Sequence, residues 1–146
     1  MHSHQIEHRK IIPSGQRVHV YMDVSGSMTE FIPPLYGAIR DCWDCVFPKV
    51  HLFSTIVSDV TLRELADGKV NSTGGTDISC VARHMQENKV KRAVIVTDGH
   101  VGNVTAAELS LLNSVFIGTA LTGTGASRNQ MEEYVNVWID ITVGGQ

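Results

Sequence analysis

Two segments of the chain are apolar at most positions, and each is followed directly by an aspartate. Residues 17–22 precede Asp23, and residues 93–97 precede Asp98. A strand with one solvated face alternates apolar and polar residues, whereas a strand buried on both faces is apolar almost throughout. Both segments are therefore predicted to be central strands of a mainly parallel sheet that carries helices on both faces.

The rest of the chain alternates helical and extended patterns in a way that suits such a sheet. Leu35, Ile39 and Val46 recur at helical spacing, and Pro33 suits a first helical turn. Val and Ile together far outnumber Leu, which favours a strand-rich core. The predicted order is β, α, β, β, α, β, α, β, α, β, with one antiparallel hairpin, which indicates a doubly wound α/β fold.

Turn residues between these patterns give the predicted boundaries. Helices are predicted from residue 30 or 33 to 46 and over 78–88, 105–113 and 129–134. The remaining strands are predicted over 50–60, 61–65, 114–117 and 135–143, with the hairpin turn near Ser58-Asp59.

Length and charge limit the class of protein. The 146 residues predict one domain, which we place at 17–146 after a flexible arm, residues 1–16, that contains His2, His4 and His8. A net charge of −3 argues against a nucleic-acid-binding face, and no apolar segment is long enough to cross a membrane. Three cysteines are too few for a disulfide framework, so we expect a reducing, cytoplasmic compartment.

Three polar segments contain carboxylates and hydroxyls; two of them follow the buried predicted strands, and the third opens a predicted helix. They are Asp23-Val24-Ser25-Gly26-Ser27, Gly74-Gly75-Thr76-Asp77 and Asp98-Gly99-His100. Ligands of doubly wound sheets bind at the carboxyl ends of the strands, near the point where the strand order reverses. We therefore expect the side chains of Asp23, Ser25, Ser27, Thr76 and Asp98 to face one crevice. Two carboxylates and three hydroxyls form a hard oxygen donor set, which suits Mg²⁺, Mn²⁺ or Ca²⁺ better than zinc.

Four neighbouring residues are expected at the rim of this site or behind its ligands. Gly26 permits an unusual backbone angle between the two serines. Asp77 is interpreted as a helix cap or an outer-shell group, and not as a direct ligand. Gly99 and His100 follow the second aspartate, where His100 is either a partner contact or a solvated loop histidine.

The same residues resemble a known metal site. Asp23-x-Ser25-x-Ser27, Thr76 after a Gly-Gly pair, and Thr97-Asp98-Gly99 resemble the metal-ion-dependent adhesion site (MIDAS) of von Willebrand factor A (VWA) domains. The pattern is most similar to the VWA-like domains of bacterial metallopeptidase-like proteins. The resemblance implies a six-stranded sheet of order 3-2-1-4-5-6 with one antiparallel edge strand. It also implies a bound Mg²⁺ that takes an acidic side chain from a partner protein.

Three functions remain open at this point. The first is a non-catalytic, metal-dependent protein-binding module, whose partner is a protein with an exposed Asp or Glu. By resemblance, that partner is a metallopeptidase-like domain or a chaperone-type ATPase. The second is a metal-assisted phosphotransferase or hydrolase with Asp23 as nucleophile, although Ser25 stands where such enzymes carry a second Asp. The third is a structural domain whose site is unused.

The cysteines are interpreted as structural. Cys42 and Cys45 have the spacing of redox or zinc sites, but Cys42 lies on the apolar face of its predicted helix and no second pair completes a zinc site. We therefore predict core packing for this pair. Cys80 projects away from the apolar face of its helix and is predicted to be a partly exposed thiol.

Overall fold

The computed structural model describes residues 16–139, except for the side chain of Ser27. The strands are β1 (Val18–Asp23), β2 (Val46–Phe53), β3 (Val57–Thr61), β4 (Arg92–Thr97), β5 (Phe116–Leu121) and β6 (Val137–Ile139). The helices are α1 (Ile32–Asp41), α2 (Leu62–Ala66), α3 (Ile78–Glu87) and α4 (Ala106–Asn113). The predicted N-terminal arm and the end of the last predicted strand lie outside the described residues.

The six strands form one sheet of order β3-β2-β1-β4-β5-β6, which confirms the predicted α/β fold. Neighbouring strands are parallel, except that β3 pairs antiparallel with β2 at one edge. The strand order reverses between β1 and β4, the two segments whose patterns indicated burial on both faces. The carboxyl ends of β1 and β4 therefore lie side by side.

A hydrophobic core lies on each face of the sheet. On one face, Ile32, Leu35 and Ile39 of α1 pack against β1 residues Val20 and Met22. On the other face, α3 and α4 cover Tyr21 and Ile95. Because Tyr21 alternates with Val20 and Met22, β1 is buried on both faces, as its apolar sequence predicted.

Helix α1 ends earlier than predicted. It stops at Asp41, a short 3₁₀ turn follows at Trp43–Cys45, and β2 begins at Val46, which pairs with Val18. Cys42 and Cys45 are exposed, so the prediction of core packing for this pair was wrong. Val46 was predicted to continue the apolar face of the helix, but it instead begins β2 and pairs with β1.

The hairpin turn also differs from the prediction. The chain turns at residues 54–56, and Asp59 lies inside β3, opposite His51. Residues 62–66 form α2 and not a strand, because Thr61 and Glu64 form a reciprocal capping box that starts a helix. The turn was predicted as part of a strand because Thr55 and Ile56 are β-branched residues, which favour strands.

Three further predictions need correction. Residues 129–134 form successive turns and no α-helix, and β5 runs over Phe116–Leu121. Cys80 is buried, because the turn between β2 and β3 covers it and its Sγ donates to the carbonyl oxygens of Asp77 and Ser54.

Within residues 16–139, none of the helices has the length and apolar character needed to cross a membrane.

Candidate functional site

The predicted metal-binding loops meet at the carboxyl edge of the sheet. The register of β1 and β4 aligns Met22 with Val96, so Asp23 and Thr97 are neighbours at the strand ends. The loop that carries Thr76 leads directly into α3. We refer to the predicted ligands Asp23, Ser25, Ser27, Thr76 and Asp98 as the oxygen site.

Asp23 is the innermost residue of the oxygen site, and its side chain is fully buried. One carboxylate oxygen, Oδ1, accepts hydrogen bonds from the Ser25 amide at 2.9 Å and from the Ser25 hydroxyl at 2.5 Å. The other oxygen, Oδ2, accepts a hydrogen bond from the Thr97 hydroxyl at 2.7 Å. These donors are all neutral, so the negative charge of Asp23 is hydrogen-bonded but not neutralised by them.

Thr76 joins the same network from a distant part of the chain. Its hydroxyl donates to Ser25 Oγ at 2.6 Å, and that hydroxyl in turn donates to Asp23. Three of the five predicted ligands are thus connected by direct hydrogen bonds. Gly26, which follows Ser25, has φ +55° and begins the 3₁₀ helix Gly26–Phe31 that contains Ser27.

Asp98 lies at the end of β4, beside the buried carboxylate. Its Oδ1 accepts a hydrogen bond from the His100 amide at 3.0 Å. Burial raises the pKa of Asp23, hydrogen bonds from Ser25 and Thr97 lower it, and the negative charge of Asp98 raises it further. Two carboxylates therefore repel each other at this edge, which is the electrostatic setting that a divalent cation relieves.

Backbone contacts lock the loop that follows β5 against Asp98. Gly99 has φ +88°, and a Cβ atom at this position would lie 1.8 Å from the carbonyl oxygen of Ser127. The Ser127 amide donates to the Asp98 carbonyl at 2.9 Å, and His100 Nε2 donates to the Gly125 carbonyl at 2.7 Å. Gly99 and His100 thus hold two loops together at the rim.

Asp77 has a capping role at the start of α3. It is the N-cap residue, and its Oδ1 accepts a hydrogen bond from the Ser79 amide at 2.9 Å. The Asp77 amide donates to the Ser54 carbonyl at 2.9 Å, which ties this loop to the turn between β2 and β3.

Thr97 bonds directly to the oxygen site, although the sequence interpretation did not include it among the site residues. Its hydroxyl is fully buried, bonds Asp23 Oδ2, and also accepts from the Gly99 amide at 3.2 Å. A polar residue at the last position of an otherwise apolar strand, directly before Asp98, was the available signal.

A second polar cluster, absent from the sequence predictions, lies on the α3 face of the sheet. Asp59 Oδ1 is 2.6 Å from His51 Nδ1 and 3.1 Å from His84 Nε2. His19 Nδ1 is 2.9 Å from His51 Nε2, and the Tyr21 hydroxyl is 2.8 Å from His84 Nδ1. We call these five residues the histidine network. It connects strands β1, β2 and β3 to helix α3.

Burial controls protonation in the histidine network. Burial and the neighbouring histidines lower the pKa of His19 and that of His51 to about 4, although Asp59 acts in the opposite direction. Burial alone would raise the pKa of Asp59, but its hydrogen bonds with His51 and His84 produce a net lowering. At neutral pH the network therefore contains a carboxylate and uncharged His19 and His51.

The hydrogen bonds then assign the ring protons. The Asp59 carboxylate only accepts, so His51 donates from Nδ1 and His84 donates from Nε2. In neutral His51 the remaining nitrogen, Nε2, accepts from His19 Nδ1. The Tyr21 oxygen lies 2.8 Å from His84 Nδ1, and its hydroxyl donates to this nitrogen in the tautomer that carries the single His84 proton on Nε2.

Comparison with known proteins does not assign the chain to a family, because no family model and no curated protein sequence matches it. The resemblance to VWA domains therefore remains a prediction from the residues of the oxygen site.

Proposed function

We propose that this chain is a VWA-like, divalent-metal-dependent protein-binding domain. In this proposal Asp23, Ser25, Ser27, Thr76 and Asp98 hold Mg²⁺, or else Mn²⁺ or Ca²⁺, in a MIDAS-type site. An Asp or Glu side chain of a partner protein completes the coordination of the metal. The observation that carries the proposal is the hydrogen-bonded connection of Thr76, Ser25 and Asp23 beside Asp98.

The charge of the oxygen site supports a cation. Asp23 is fully buried, and its hydrogen-bond donors are two hydroxyl groups and an amide. A buried carboxylate without a positively charged partner carries a desolvation cost, which a bound cation offsets. The proximity of Asp98 increases this effect, because a second negative charge adds repulsion until a cation binds.

The donor chemistry supports a hard metal ion. The described donors are carboxylate and hydroxyl oxygens, which Mg²⁺, Mn²⁺ and Ca²⁺ prefer over sulfur or imidazole. Mg²⁺ retains water molecules readily, so neutral hydroxyl ligands leave it with positive charge and exchangeable positions. When bound, the metal supplies a Lewis acid that accepts a carboxylate from outside the chain.

The hydrogen bonds of Asp23 favour binding over catalysis. The groups that donate to Asp23 are the hydroxyls of Ser25 and Thr97 and the Ser25 amide, which are poor proton donors for a leaving group. Ser25, which stands two residues after Asp23, donates to that carboxylate and is a poor general acid. We therefore rank the phosphotransferase alternative second.

The partner and the compartment follow from the resemblance and from the cysteines. We propose a metallopeptidase-like domain or a chaperone-type ATPase that presents an acidic side chain to the rim near His100. Cys42, Cys45 and Cys80 are free thiols, which suits the cytoplasm.

The test combines metal titration with selection of an acidic ligand. Calorimetry should detect binding of Mg²⁺ to the wild-type chain, and Asp98→Ala should abolish it. Asp77→Asn, which keeps an N-cap outside the proposed ligand set, is the matched control and should still bind Mg²⁺. Peptides selected on the Mg²⁺-loaded protein should share an essential Asp or Glu and elute with EDTA. Selected peptides that bind equally well in EDTA would contradict the proposal.

A further inference from the structure

The histidine network places three metal-ligand atoms together at a distance from the oxygen site. His51 Nδ1, Asp59 Oδ1 and His84 Nε2 all lie within 4.8 Å of one another. His51 is buried, whereas Asp59 is 38% exposed and gives the cluster access to solvent. The three residues come from β2, β3 and α3, so rigid elements and not loops position them.

The register of the hairpin fixes two of these residues. His51 and Asp59 are directly opposed in the antiparallel pair β2–β3, which holds their side chains on the same face of the sheet. His84 approaches from α3, next to the fully packed Met85, and its ring centroid lies 4.3 Å from that of His51. The packing of α3 therefore limits how far the third donor can move.

We propose that His51, Asp59 and His84 bind one Zn²⁺ or a chemically similar transition-metal ion. Two imidazole nitrogens and one carboxylate oxygen are the donors that zinc uses when three side chains bind it and a fourth position stays open. Imidazole ligands also distinguish this site from the oxygen site, because Mg²⁺ and Ca²⁺ select oxygen.

The distances require a small expansion of the cluster. Asp59 Oδ1 is 2.6 Å from His51 Nδ1 and 3.1 Å from His84 Nε2. Zinc–ligand bonds of about 2.0–2.1 Å in a tetrahedron separate the ligand atoms by about 3.3 Å. The exposed carboxylate of Asp59 therefore needs to move outward from both nitrogens, and the rings of buried His51 and partly exposed His84 adjust around the ion.

The partners of the two imidazoles are already in position for metal binding. Each histidine retains one proton, which moves to the ring nitrogen that faces away from the ion. His51 then donates from Nε2 to His19 Nδ1, which requires the proton of His19 to move from its Nδ1 to its Nε2. His84 donates from Nδ1 to the Tyr21 oxygen, and the Tyr21 O–H bond rotates away from that nitrogen. Outer-shell partners of this kind orient metal-binding histidines and strengthen them as ligands.

The predicted consequence of binding is a structural tie between the edge hairpin and α3. The ion would bind Asp59, His51 and His84 directly, in place of the hydrogen bonds that join Asp59 to the two histidines now. The proposal does not depend on Mg²⁺ binding at the oxygen site, since the two ligand sets share no residue.

The experiment titrates Zn²⁺ alone into the chelator-treated full chain. His2, His4 and His8 could also chelate zinc, so the reference protein carries His2→Ala, His4→Ala and His8→Ala. We expect one Zn²⁺ per chain with a Kd at or below about 1 µM by calorimetry. The failure of this reference protein to bind one equivalent would overturn the proposal.

Variants identify the ligands. In the same background, Asp59→Asn and His84→Gln should each weaken binding by more than about 100-fold, because even outer-shell partners are worth about 10–100-fold. Tyr21→Phe should weaken it by about tenfold. Asp67→Asn, which changes an exposed carboxylate just after α2, is the matched control, and its zinc affinity should equal that of the reference. Full affinity in the folded Asp59→Asn variant would overturn the assignment.

A measurement without ligand variants covers the case in which those proteins do not fold. Nitrogen NMR of the histidine rings should show the proton of His51 moving from Nδ1 to Nε2 as Zn²⁺ is added. The proton of His84 should move from Nε2 to Nδ1. Unchanged ring protons at saturating Zn²⁺ would show that the ion binds elsewhere and would overturn the proposal.

Discussion

The oxygen site and the histidine network differ in the elements that hold them and in how their charge is satisfied. Loops after β1 and β4 and before α3 carry the oxygen site, whereas three strands and one helix carry the histidine network. Asp23 has only neutral donors and an acidic neighbour, whereas Asp59 receives two imidazole N–H groups. In our proposals a cation balances the charge of the oxygen site, whereas the histidine network is hydrogen-bonded without a metal and would bind one by exchanging protons.

Acidification should have the largest effect, and it should act through the histidine network. Because the folded-state pKa of His19 and that of His51 lie near 4, the unfolded chain binds more protons below about pH 6.5. The free energy of unfolding of the metal-free protein should fall between pH 6.5 and pH 4, by about 1.4 kcal/mol per pH unit for each extra proton. Denaturant unfolding at several pH values measures this slope.

Ring NMR separates this effect from the titration of surface carboxylates. The groups that face His51 are His19 and Tyr21 on β1, Lys49 on its own strand, Asp59 on β3 and His84 on α3. If the ring of His51 titrates near pH 6.5 in the folded protein, the network does not oppose protonation and the predicted slope is wrong.

Gly99→Ala should have the next largest effect, and it should separate the two sites. A methyl group at this position would lie 1.8 Å from the Ser127 carbonyl oxygen, at a φ of +88° that L-residues disfavour. We expect a loss of about 3 kcal/mol or more in stability and the loss of Mg²⁺ binding, with zinc binding retained in the folded fraction.

Gly125→Ala is the matched control for this variant. Its φ is +79°, but no atom lies within 4 Å of an added Cβ. The expected cost is about 1–2 kcal/mol, from backbone strain alone. Equal costs for the two variants would show that the contact between Gly99 and Ser127 does not hold the loops together.

Asp98→Ala tests whether the oxygen site depends on a cation. Mg²⁺ at a hundred times its Kd should stabilise the wild-type chain by about 2.7 kcal/mol, and the variant should lose that increment. Without metal the variant should be no less stable than the wild type, because one of two repelling carboxylates is removed. Melting curves with Mg²⁺ and with EDTA measure both effects. A strongly destabilised metal-free variant would instead assign Asp98 a structural role.

His100→Ala should have the smallest effect. It removes the exposed bond to the Gly125 carbonyl, which is worth about 0.5–1.5 kcal/mol. Arg40→Ala, at an exposed position of α1, is the control, with an expected change below about 0.5 kcal/mol. A shift of several kcal/mol in thermal or denaturant unfolding of His100→Ala would mean that this side chain, and not the backbone of Gly99, holds the rim.

The meeting of the β1 and β4 ends could be predicted from the sequence because the signals for buried strands are local. The apolar segments before Asp23 and Asp98 identified buried central strands, and in a doubly wound sheet such strands end side by side. The strand order brings the ends of β1 and β4 together, whereas the hydrogen bonds that join Thr76, Ser25 and Asp23 depend on the folded position of the loop before α3. The contact between Thr97 and Asp23 could not be predicted in this way, because it depends on the register between β1 and β4.

The histidine network could not be predicted in this way, because it depends on contacts between distant residues. His19 and His51 are 32 positions apart, and Tyr21 and His84 are 63 positions apart. The prediction also placed Asp59 in a turn, since Thr55 and Ile56 have the composition of a strand. Only the observed turn at residues 54–56 sets Asp59 opposite His51.

The short edge strand β3 has a consequence for how copies of this chain behave at high concentration. An edge strand exposes unpaired backbone groups, to which another chain can add a strand and begin aggregation. β3 has only five residues, and the capping box at Thr61 turns the backbone into α2 as soon as the strand ends. Ser58, Asp59 and Thr61 make most of this edge polar. Another chain that tries to add a strand at this edge therefore meets only a short, mostly polar strand, which opposes aggregation there.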